Sequence, residues 1–283
     1  MYRFIKGTGN LLSRLSPNGL DRLARITTVF AYDILRFRRR LILKNLHIAF
    51  GNEITEAERA RIGRESVRHF LLTIFEFLRS VRIDILGDTT VDGVEHITDA
   101  LAQGRGGYIL SSHLGNWEAM GGAGTRFVVP TYSLVKEMRQ KGTDRLVDEL
   151  RRKNGLYPIY RKPAGSAVKA IRETLKRNEL VGFILDQARP QAPRVPFFGT
   201  PAKTQTSLAV IWRKYPAPII PVSIRRIAPG KHAITVWPAL KPELTKDAEA
   251  DVLRITGQCN AMIEKMVRTC PEQYFWMHNR WKE

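Results

Sequence analysis

The sequence predicts an α/β protein with a central, mostly parallel sheet flanked by helices and an amphipathic helical region at the N-terminus. Residues 1–80 carry apolar residues at helical spacing. From about residue 88, short apolar runs alternate with helical patterns of about 10 to 15 residues. A chain of 283 residues with 43% hydrophobic content can also bury a sizeable core. We therefore predict a helical membrane-interface region over residues 1–80 and an α/β domain over residues 81–283.

Basic and apolar residues interleave through the first fifty residues. This segment contains ten Lys or Arg residues against Asp21 and Asp33, a net charge of +8, and its Leu, Ile and Phe residues largely follow a helical period. Such a helix is typical of a membrane interface, where apolar side chains meet acyl chains and cations meet anionic head groups. The alternative is an amphipathic subdomain that packs on the main body, and the two interpretations are compatible.

No apolar run in the sequence has the length of a membrane-spanning helix, which needs roughly 18 to 20 residues. Between Arg25 and Asp33, for example, there are only seven uncharged residues. Residues 1–6 also lack the long apolar core of a signal peptide. We therefore expect peripheral, monotopic attachment from the cytosolic side.

The chain contains the following predicted elements. A helix is expected to begin at Thr55, which is placed to cap it, with Glu58 at the capping-box position. The predicted strands are 108–112, 129–135, 156–160, 180–186, 219–224 and 233–237. The predicted helices are 116–125, 142–153, 164–177, 202–214 and 247–268. The Pro-rich stretch 187–201 is predicted to be a functional loop, such as a lid or a channel wall.

Two candidate catalytic residues lie at predicted strand ends, where the ligands of open α/β sheets bind. His113 follows the strand 108–112, and Asp186 ends the strand 180–186. A histidine can remove a proton near neutral pH when a carboxylate on its other ring nitrogen fixes the tautomer. The first candidate for that carboxylate is Glu118, five positions after His113 and in the first turn of a helix that Asn116 caps. Asp186 is the alternative partner.

The sequence lacks a convincing protein nucleophile or metal site. Ser111 and Ser112 precede His113 without the G-x-S-x-G elbow, and no nucleophile pattern surrounds Cys259 or Cys270. The H-E-x-x-H pattern of zinc proteases is also absent. We therefore expect direct attack by an activated substrate hydroxyl, with no covalent enzyme intermediate, no metal and no cofactor.

The hexapeptide H-L-G-N-W-E at residues 113–118 resembles the H-x4-D/E motif of the glycerolipid and lysophospholipid acyltransferase superfamily. Within that superfamily the chain resembles the late acyltransferases of lipid A synthesis, the lauroyl and myristoyl transferases. The similarity extends through nearly the whole chain. Its other motifs, in order, are R-R-R at 38–40, K-N-L at 44–46, A-F at 49–50, L-D-Q at 185–187, P-F-F-G at 196–199, P-I-I-P-V at 218–222 and P-E-Q-Y-F-W-M-H-N-R-W-K at 271–282.

The resemblance implies an O-acyltransferase that moves a fatty acyl chain from acyl carrier protein, or from acyl-CoA, to a hydroxyl of a lipid A or related saccharolipid precursor. It implies that His113 is the general base, with Glu118 or Asp186 as its acidic partner. Asn116, inside the motif, is assigned to substrate binding. The implied location is the cytoplasmic face of the bacterial inner membrane. Acylation of another membrane lipid, a phosphatidylinositol mannoside or a lysophospholipid, is the alternative.

Other residues are candidates for substrate binding. Arg151 and Arg161 match basic positions of the family and suit phosphate or oxyanion binding, with Lys136 as a further candidate. The alternative for Arg151 is a solvated helix end that complements the helix dipole. Phe197 and Phe198 are candidates for the wall of an acyl channel, with plain packing as the alternative.

The net charge of +19 predicts an anionic partner, which by charge alone can be nucleic acid, anionic lipid or an acidic carrier protein. Aromatic and basic residues alternate over residues 274–282, a pattern also found where proteins bind single-stranded nucleic acid. The resemblance instead implies a packing or interfacial role for this segment. We predict acyl carrier protein, anionic membrane lipid and a glycolipid acceptor as partners, and no nucleic acid. A non-catalytic basic protein is the alternative from another class, but it leaves the ordered motifs unexplained.

Overall fold

The N-terminal part of the chain is helical. The computed structural model describes residues 1–135, 137–138, 140–160 and 165–282. Thr55 caps the fourth helix as predicted, because its side-chain oxygen accepts a hydrogen bond from the Glu58 backbone N–H at 3.2 Å. The N-terminal helices are α1 (Tyr2–Leu12), α2 (Pro17–Thr28), a π-helical turn (Val29–Ile34), α3 (Arg39–Phe50) and α4 (Glu56–Arg79).

After α4 the chain alternates between strands and helices, which is the predicted α/β architecture. The strands are β1 (Asp88–Asp92), β2 (Gly107–Ser111), β3 (Thr131–Val135), β4 (Leu156–Tyr160), β5 (Leu180–Ile184), β6 (Arg194–Phe197), β7 (Thr200–Lys203), β8 (Ile219–Ala228) and β9 (Lys231–Val236). The helices are α5 (Glu95–Leu101), α6 (Trp117–Phe127), α7 (Lys141–Lys153), α8 (Ser166–Lys176), α9 (Ser207–Lys214) and α10 (Ala248–Thr269), followed by a 3-10 turn (Pro271–Gln273).

Seven strands form the central sheet in the order β1-β9-β8-β2-β5-β3-β4. The strands β8, β2, β5, β3 and β4 run parallel to one another, whereas β9 is antiparallel to β8, and β1 is parallel to β9. The central strand β2 is buried along its whole length, and its alternate residues belong to core clusters on opposite faces of the sheet. The mostly parallel sheet flanked by helices is therefore confirmed.

Two parts of the strand assignment differ from the prediction. The stretch 187–201 is not a loop throughout, because β6 and β7 form an antiparallel hairpin whose turn residues, Phe198 and Gly199, have φ angles of 50° and 68°. The first residues of the predicted helix 202–214 belong instead to strand β7, and α9 begins only at Ser207. The strand β1 has no counterpart in the prediction, because this edge strand is largely polar and lacks an apolar run.

The N-terminal helices pack directly on the α/β core. Ile42 and Leu46 of α3 and Ile62 of α4 belong to the same buried cluster as Trp276 near the C-terminus. The helices α1 and α2 in turn pack on α4 through a smaller cluster. Within the described residues, none of the helices combines the length and apolarity needed to cross a membrane.

Candidate active site

Two neighbouring strands bring His113 and Asp186 together at the carboxyl edge of the sheet. Ser111 of β2 pairs with Ile184 of β5 in parallel register, so the residues two positions farther along lie side by side. His113 Nδ1 lies 2.7 Å from Asp186 Oδ1, and the His113 backbone N–H donates to Asp186 Oδ2 at 2.8 Å. One carboxylate therefore holds both the ring and the backbone of His113.

The charge on Asp186 fixes the tautomer of His113. Burial by itself raises the pKa of Asp186, but the electrostatic attraction and the hydrogen bonds of His113 outweigh burial and hold that pKa below its usual value. An ionised carboxylate only accepts hydrogen bonds, so the ring proton lies on Nδ1 and Nε2 is the basic nitrogen. Nε2 faces Gln187, whose side-chain nitrogen donates to it from 3.3 Å.

Glu118 binds Arg151 and not His113. Its two carboxylate oxygens accept hydrogen bonds from Arg151 Nε at 2.9 Å and Nη2 at 2.6 Å. This contact differs from the first-choice prediction of a Glu118–His113 pair, because Glu118 lies in the first turn of α6 and faces α7. Burial lowers the pKa of Arg151, but the attraction and hydrogen bonds of Glu118 raise it above its usual value. Arg151 is therefore charged and is held by the Glu118 carboxylate.

Asn116 has a structural role in place of its predicted role in substrate binding. Its side chain is fully buried and caps α6 as predicted, with Oδ1 accepting from the Ala119 backbone N–H at 3.0 Å. Asn116 Nδ2 donates to Glu76 Oε2 at 2.8 Å, and Glu76 also pairs with buried Arg226 at 2.5 Å. Because both polar atoms of the Asn116 amide are already bonded, the side chain is not available to a substrate.

A cavity of about 650 Å³ opens beside His113. Its polar end is lined by His113, Glu118, Arg151, Gln187 and Arg189. The volume is in the range of pockets that bind small molecules and cofactors. The arrangement places His113 beside a cavity of mixed lining, between the sheet, α5 and α6, that has an extensive apolar part. The apolar lining includes Ile97, Ile109, Met120, Ala123, Phe127, Leu180, Val222, Ile234 and Val236.

Residues 8–283 match the family described as bacterial lipid A biosynthesis acyltransferase. The chain belongs to this family. The lipid A biosynthesis lauroyltransferase of Escherichia coli (strain K12) is 28% identical over 264 residues, which cover 89% of this chain and 81% of that relative. The lipid A biosynthesis palmitoleoyltransferase of the same organism and the lipid A biosynthesis acyltransferase of Shigella flexneri are each 24% identical over 261 residues, with the same coverage. The chain is accordingly an acyltransferase, as its motifs imply.

The C-terminal segment of this acyltransferase fixes the loop that carries His113. The Gly115 backbone N–H donates to Gln273 O at 3.1 Å, and the Phe275 backbone N–H donates to His113 O at 3.0 Å. The ring centroids of Trp117 and Phe275 lie 5.1 Å and 5.9 Å from that of His113. The aromatic residues near the C-terminus thus include one that packs beside the imidazole.

Phe197 and Phe198 pack in the core of the acyltransferase. Both are buried, and neither lines the described part of the cavity. Phe198 meets Phe197 and Phe50 edge-on, with ring centroids 4.9 Å and 5.5 Å apart. The structure therefore gives this aromatic pair the packing role, which was the alternative to the predicted wall of an acyl channel.

Some cavity residues were not predicted, and two predicted residues lie outside the described part of the chain. Lys136 and Arg161, both predicted to bind anionic groups, are among the residues that the structure does not describe. Gln187, Arg189 and Gln205 line the cavity and were not predicted individually, although Gln187 and Arg189 belong to the stretch 187–201, which was predicted to be a functional loop. The position of the first two, directly after a strand end, is the signal that could have indicated them.

Proposed function

We propose that this acyltransferase transfers a fatty acyl chain from a thioester donor to a hydroxyl of a lipid A precursor, with His113 as general base and Asp186 as the residue that orients it. The observation that carries this proposal is the 2.7 Å contact between His113 Nδ1 and Asp186 Oδ1 beside a cavity with an extensive apolar lining. Glu118 has no place in this pair, because Arg151 occupies its carboxylate.

In the proposed reaction the acceptor hydroxyl replaces the Gln187 amide at His113 Nε2. The hydroxyl proton passes to Nε2 while the oxygen attacks the thioester carbonyl carbon, and Asp186 stabilises the imidazolium that forms. The tetrahedral intermediate then breaks its C–S bond, and the proton on Nε2 passes to the departing thiolate. The products are an ester and a free thiol, and the neutral imidazole is restored.

The cavity supplies a place for the acyl chain of the donor. Its apolar lining removes a hydrocarbon chain from water, which stabilises the bound chain in proportion to the area buried. The named relatives transfer lauroyl and palmitoleoyl groups. We extend this chemistry to the present chain and propose a long-chain acyl thioester of acyl carrier protein as donor, with acyl-CoA as the other possible carrier. The net charge of +19 supports an acidic carrier protein.

We also propose that the N-terminal helices hold the enzyme on the cytoplasmic face of a bacterial inner membrane. Single exposed apolar residues are ordinary, but a group of them on a basic segment is typical of proteins that bind a lipid surface. The group lies within the first 37 residues, among the cations that give residues 1–50 a net charge of +8. Each of the following side chains is more than half exposed: Phe4, Leu11, Ile26, Phe30, Ile34, Leu35 and Phe37.

Membrane attachment can be tested by replacing Phe30, Ile34 and Leu35 together with Ser. We expect the triple variant to lose most of its co-flotation with vesicles that contain phosphatidylglycerol, because these apolar side chains would supply the buried area. The matched control replaces Val210 and Ile227, two similarly exposed apolar residues on the α/β part, with Ser. Equal flotation of the triple variant, the control and the wild type contradicts this attachment surface.

Mass spectrometry of lipid products tests the catalytic proposal. Wild-type enzyme is incubated with acyl carrier proteins of several chain lengths, with acyl-CoA, and with lipid A precursors, lysophospholipids and phosphatidylinositol mannosides as acceptors. We expect acylation of a lipid A precursor by wild type and by His47→Ala, an exposed control on α3, and none by His113→Ala. Preferential acylation of a phospholipid or a mannoside would replace the proposed acceptor. Full activity of His113→Ala would refute the proposed base.

A further inference from the structure

The charged residues at the polar end of the cavity are not equally available to a substrate. In the described lining these residues are His113, Glu118, Arg151 and Arg189. Glu118 and Arg151 neutralise each other through two hydrogen bonds. His113 is paired with Asp186 through its Nδ1 atom, 2.7 Å from Asp186 Oδ1. Arg189 is the one cation of this described lining without a carboxylate partner in the described chain.

Arg189 is also held in place by neutral groups. Its Nε donates to Gln205 Oε1 at 3.0 Å, and Gln205 Nε2 in turn donates to Ser207 Oγ at 2.5 Å. An amide oxygen orients the guanidinium but does not cancel its charge. Among the described residues, no hydrogen bond involves either terminal nitrogen of Arg189. A guanidinium can bind two oxygens of a phosphate with these two nitrogens.

The residues that precede Arg189 are held by hydrogen bonds beside the catalytic pair. The Ala188 backbone N–H donates to His278 Nε2 at 2.9 Å, and the backbone oxygen of His278 accepts from Asn45 Nδ2 at 2.7 Å. Gln187, two residues before Arg189, contacts His113 Nε2. Arg189 and His113 thus line the same cavity, and the segment 187–189 that carries Arg189 is held by these hydrogen bonds.

We propose that Arg189 is the anion-binding residue of this cavity and that it binds a phosphate group of one of the two substrates. The inference rests on the proposed acyl transfer, because both reactants of that reaction carry phosphate. One source is the phosphorylated sugar of the acceptor, and the other is the phosphodiester of the pantetheine arm that carries the acyl group. Arg151, which the sequence favours for this role, already has its charge neutralised by Glu118.

The acceptor arm of the test compares the phosphorylated lipid A precursor with the same lipid after phosphatase treatment. If Arg189 binds the acceptor phosphate, Arg189→Met raises KM for the phosphorylated acceptor about 10- to 100-fold, the range expected for a lost hydrogen-bonded charge pair. The variant and the wild type should then have the same KM for the dephosphorylated acceptor.

The donor arm compares an acyl-phosphopantetheine thioester with the acyl-pantetheine thioester that lacks the phosphate. A rise in KM of similar size, confined to the phosphorylated donor, assigns Arg189 to the donor. Either pattern supports the proposal, and the two arms identify the source of the phosphate.

Two further variants keep the result decisive. Arg189→Lys retains the charge and should lose less affinity than Arg189→Met. The control, Arg105→Met, removes an exposed arginine before β2, at the opposite edge of the sheet, and should leave KM unchanged. If Arg189→Met does not fold, as judged by thermal unfolding, Arg189→Gln takes its place. An unchanged KM, or an equal rise with and without phosphate in both arms, overturns the proposal. The proposed acyl transfer fails separately, if the wild-type enzyme acylates none of the tested acceptors.

Discussion

Replacing Asp186 by Asn isolates the charge that the proposed mechanism requires. Asp186 is buried and accepts hydrogen bonds from His113 Nδ1 at 2.7 Å and from the His113 backbone N–H at 2.8 Å. The amide has nearly the same shape, but it carries no charge, and one of its two polar atoms is a donor. It therefore loses one of these hydrogen bonds and the attraction to the imidazolium.

The size of the effect follows from these two contacts. A hydrogen bond that involves a charged group contributes about 1.5 to 3 kcal/mol, and the imidazolium forms only as the reaction proceeds. The loss of one such hydrogen bond and of the attraction to the imidazolium, each taken at about this size, raises the barrier by about 3 to 6 kcal/mol, which corresponds to about a 10²- to 10⁴-fold fall in kcat. KM should change little, because the lost stabilisation develops in the transition state.

The assay is the single-turnover rate of acyl transfer by Asp186→Asn, with Glu118→Gln as the comparison and thermal unfolding as the test of folding. We expect Asp186→Asn to have the larger loss in rate, because Glu118 contacts Arg151 and not the base. A folded Asp186→Asn enzyme with a near wild-type rate contradicts the proposed role of Asp186 in orienting His113. So does a larger loss in Glu118→Gln when its stability is unchanged.

Three further predictions concern the Glu118–Arg151 ion pair, Gly115 and the two cysteine thiols. The losses of kcat/KM in Glu118→Gln and Arg151→Met should be non-additive in a double-mutant cycle, because each removes the same ion pair; additive losses contradict that pairing. Gly115→Ala should lower the Tm by roughly 5 °C or more, because φ is +58° and the added Cβ would lie 2.1 Å from Ile224 O; an unchanged Tm contradicts this contact. Activity should survive treatment with N-ethylmaleimide at pH 8, because burial raises the pKa of both thiols, that of Cys259 to about 12; rapid inactivation would point to an accessible thiol.

The sequence predicts the parts of the fold that depend on local pattern. Buried strands such as β2 and β5 appear as short apolar runs, and the Thr55 cap precedes α4 as expected. The edge strand β1 escapes this pattern because one side of it faces solvent and its sequence is polar. The hairpin of β6 and β7 is also missed by this pattern, because its short strands contain Pro residues and are joined by a Phe-Gly turn.

The identity of the acidic partner of His113 depends on how β2 and β5 pair in the sheet. The spacing of residues along the chain does not indicate that pairing. Glu118 is five residues away in sequence, but α6 directs it towards Arg151. Asp186 is 73 residues away, yet the parallel pairing of β2 with β5 places it next to the imidazole. Both acids are visible in the sequence at suitable positions, and only the sheet order selects between them. The availability of Arg189 likewise depends on which carboxylates the fold gives to the other cations.

The role of His113 as general base is tested most directly by the single-turnover rate of His113→Ala. The measured reaction is acyl transfer from acyl carrier protein to a lipid A precursor, with both substrates saturating. The proposed mechanism predicts a fall of at least about 10²-fold, the usual contribution of a positioned general base, with an unchanged Tm and unchanged substrate binding. A folded His113→Ala enzyme that transfers the acyl group at the wild-type rate contradicts the assignment of His113 as the base.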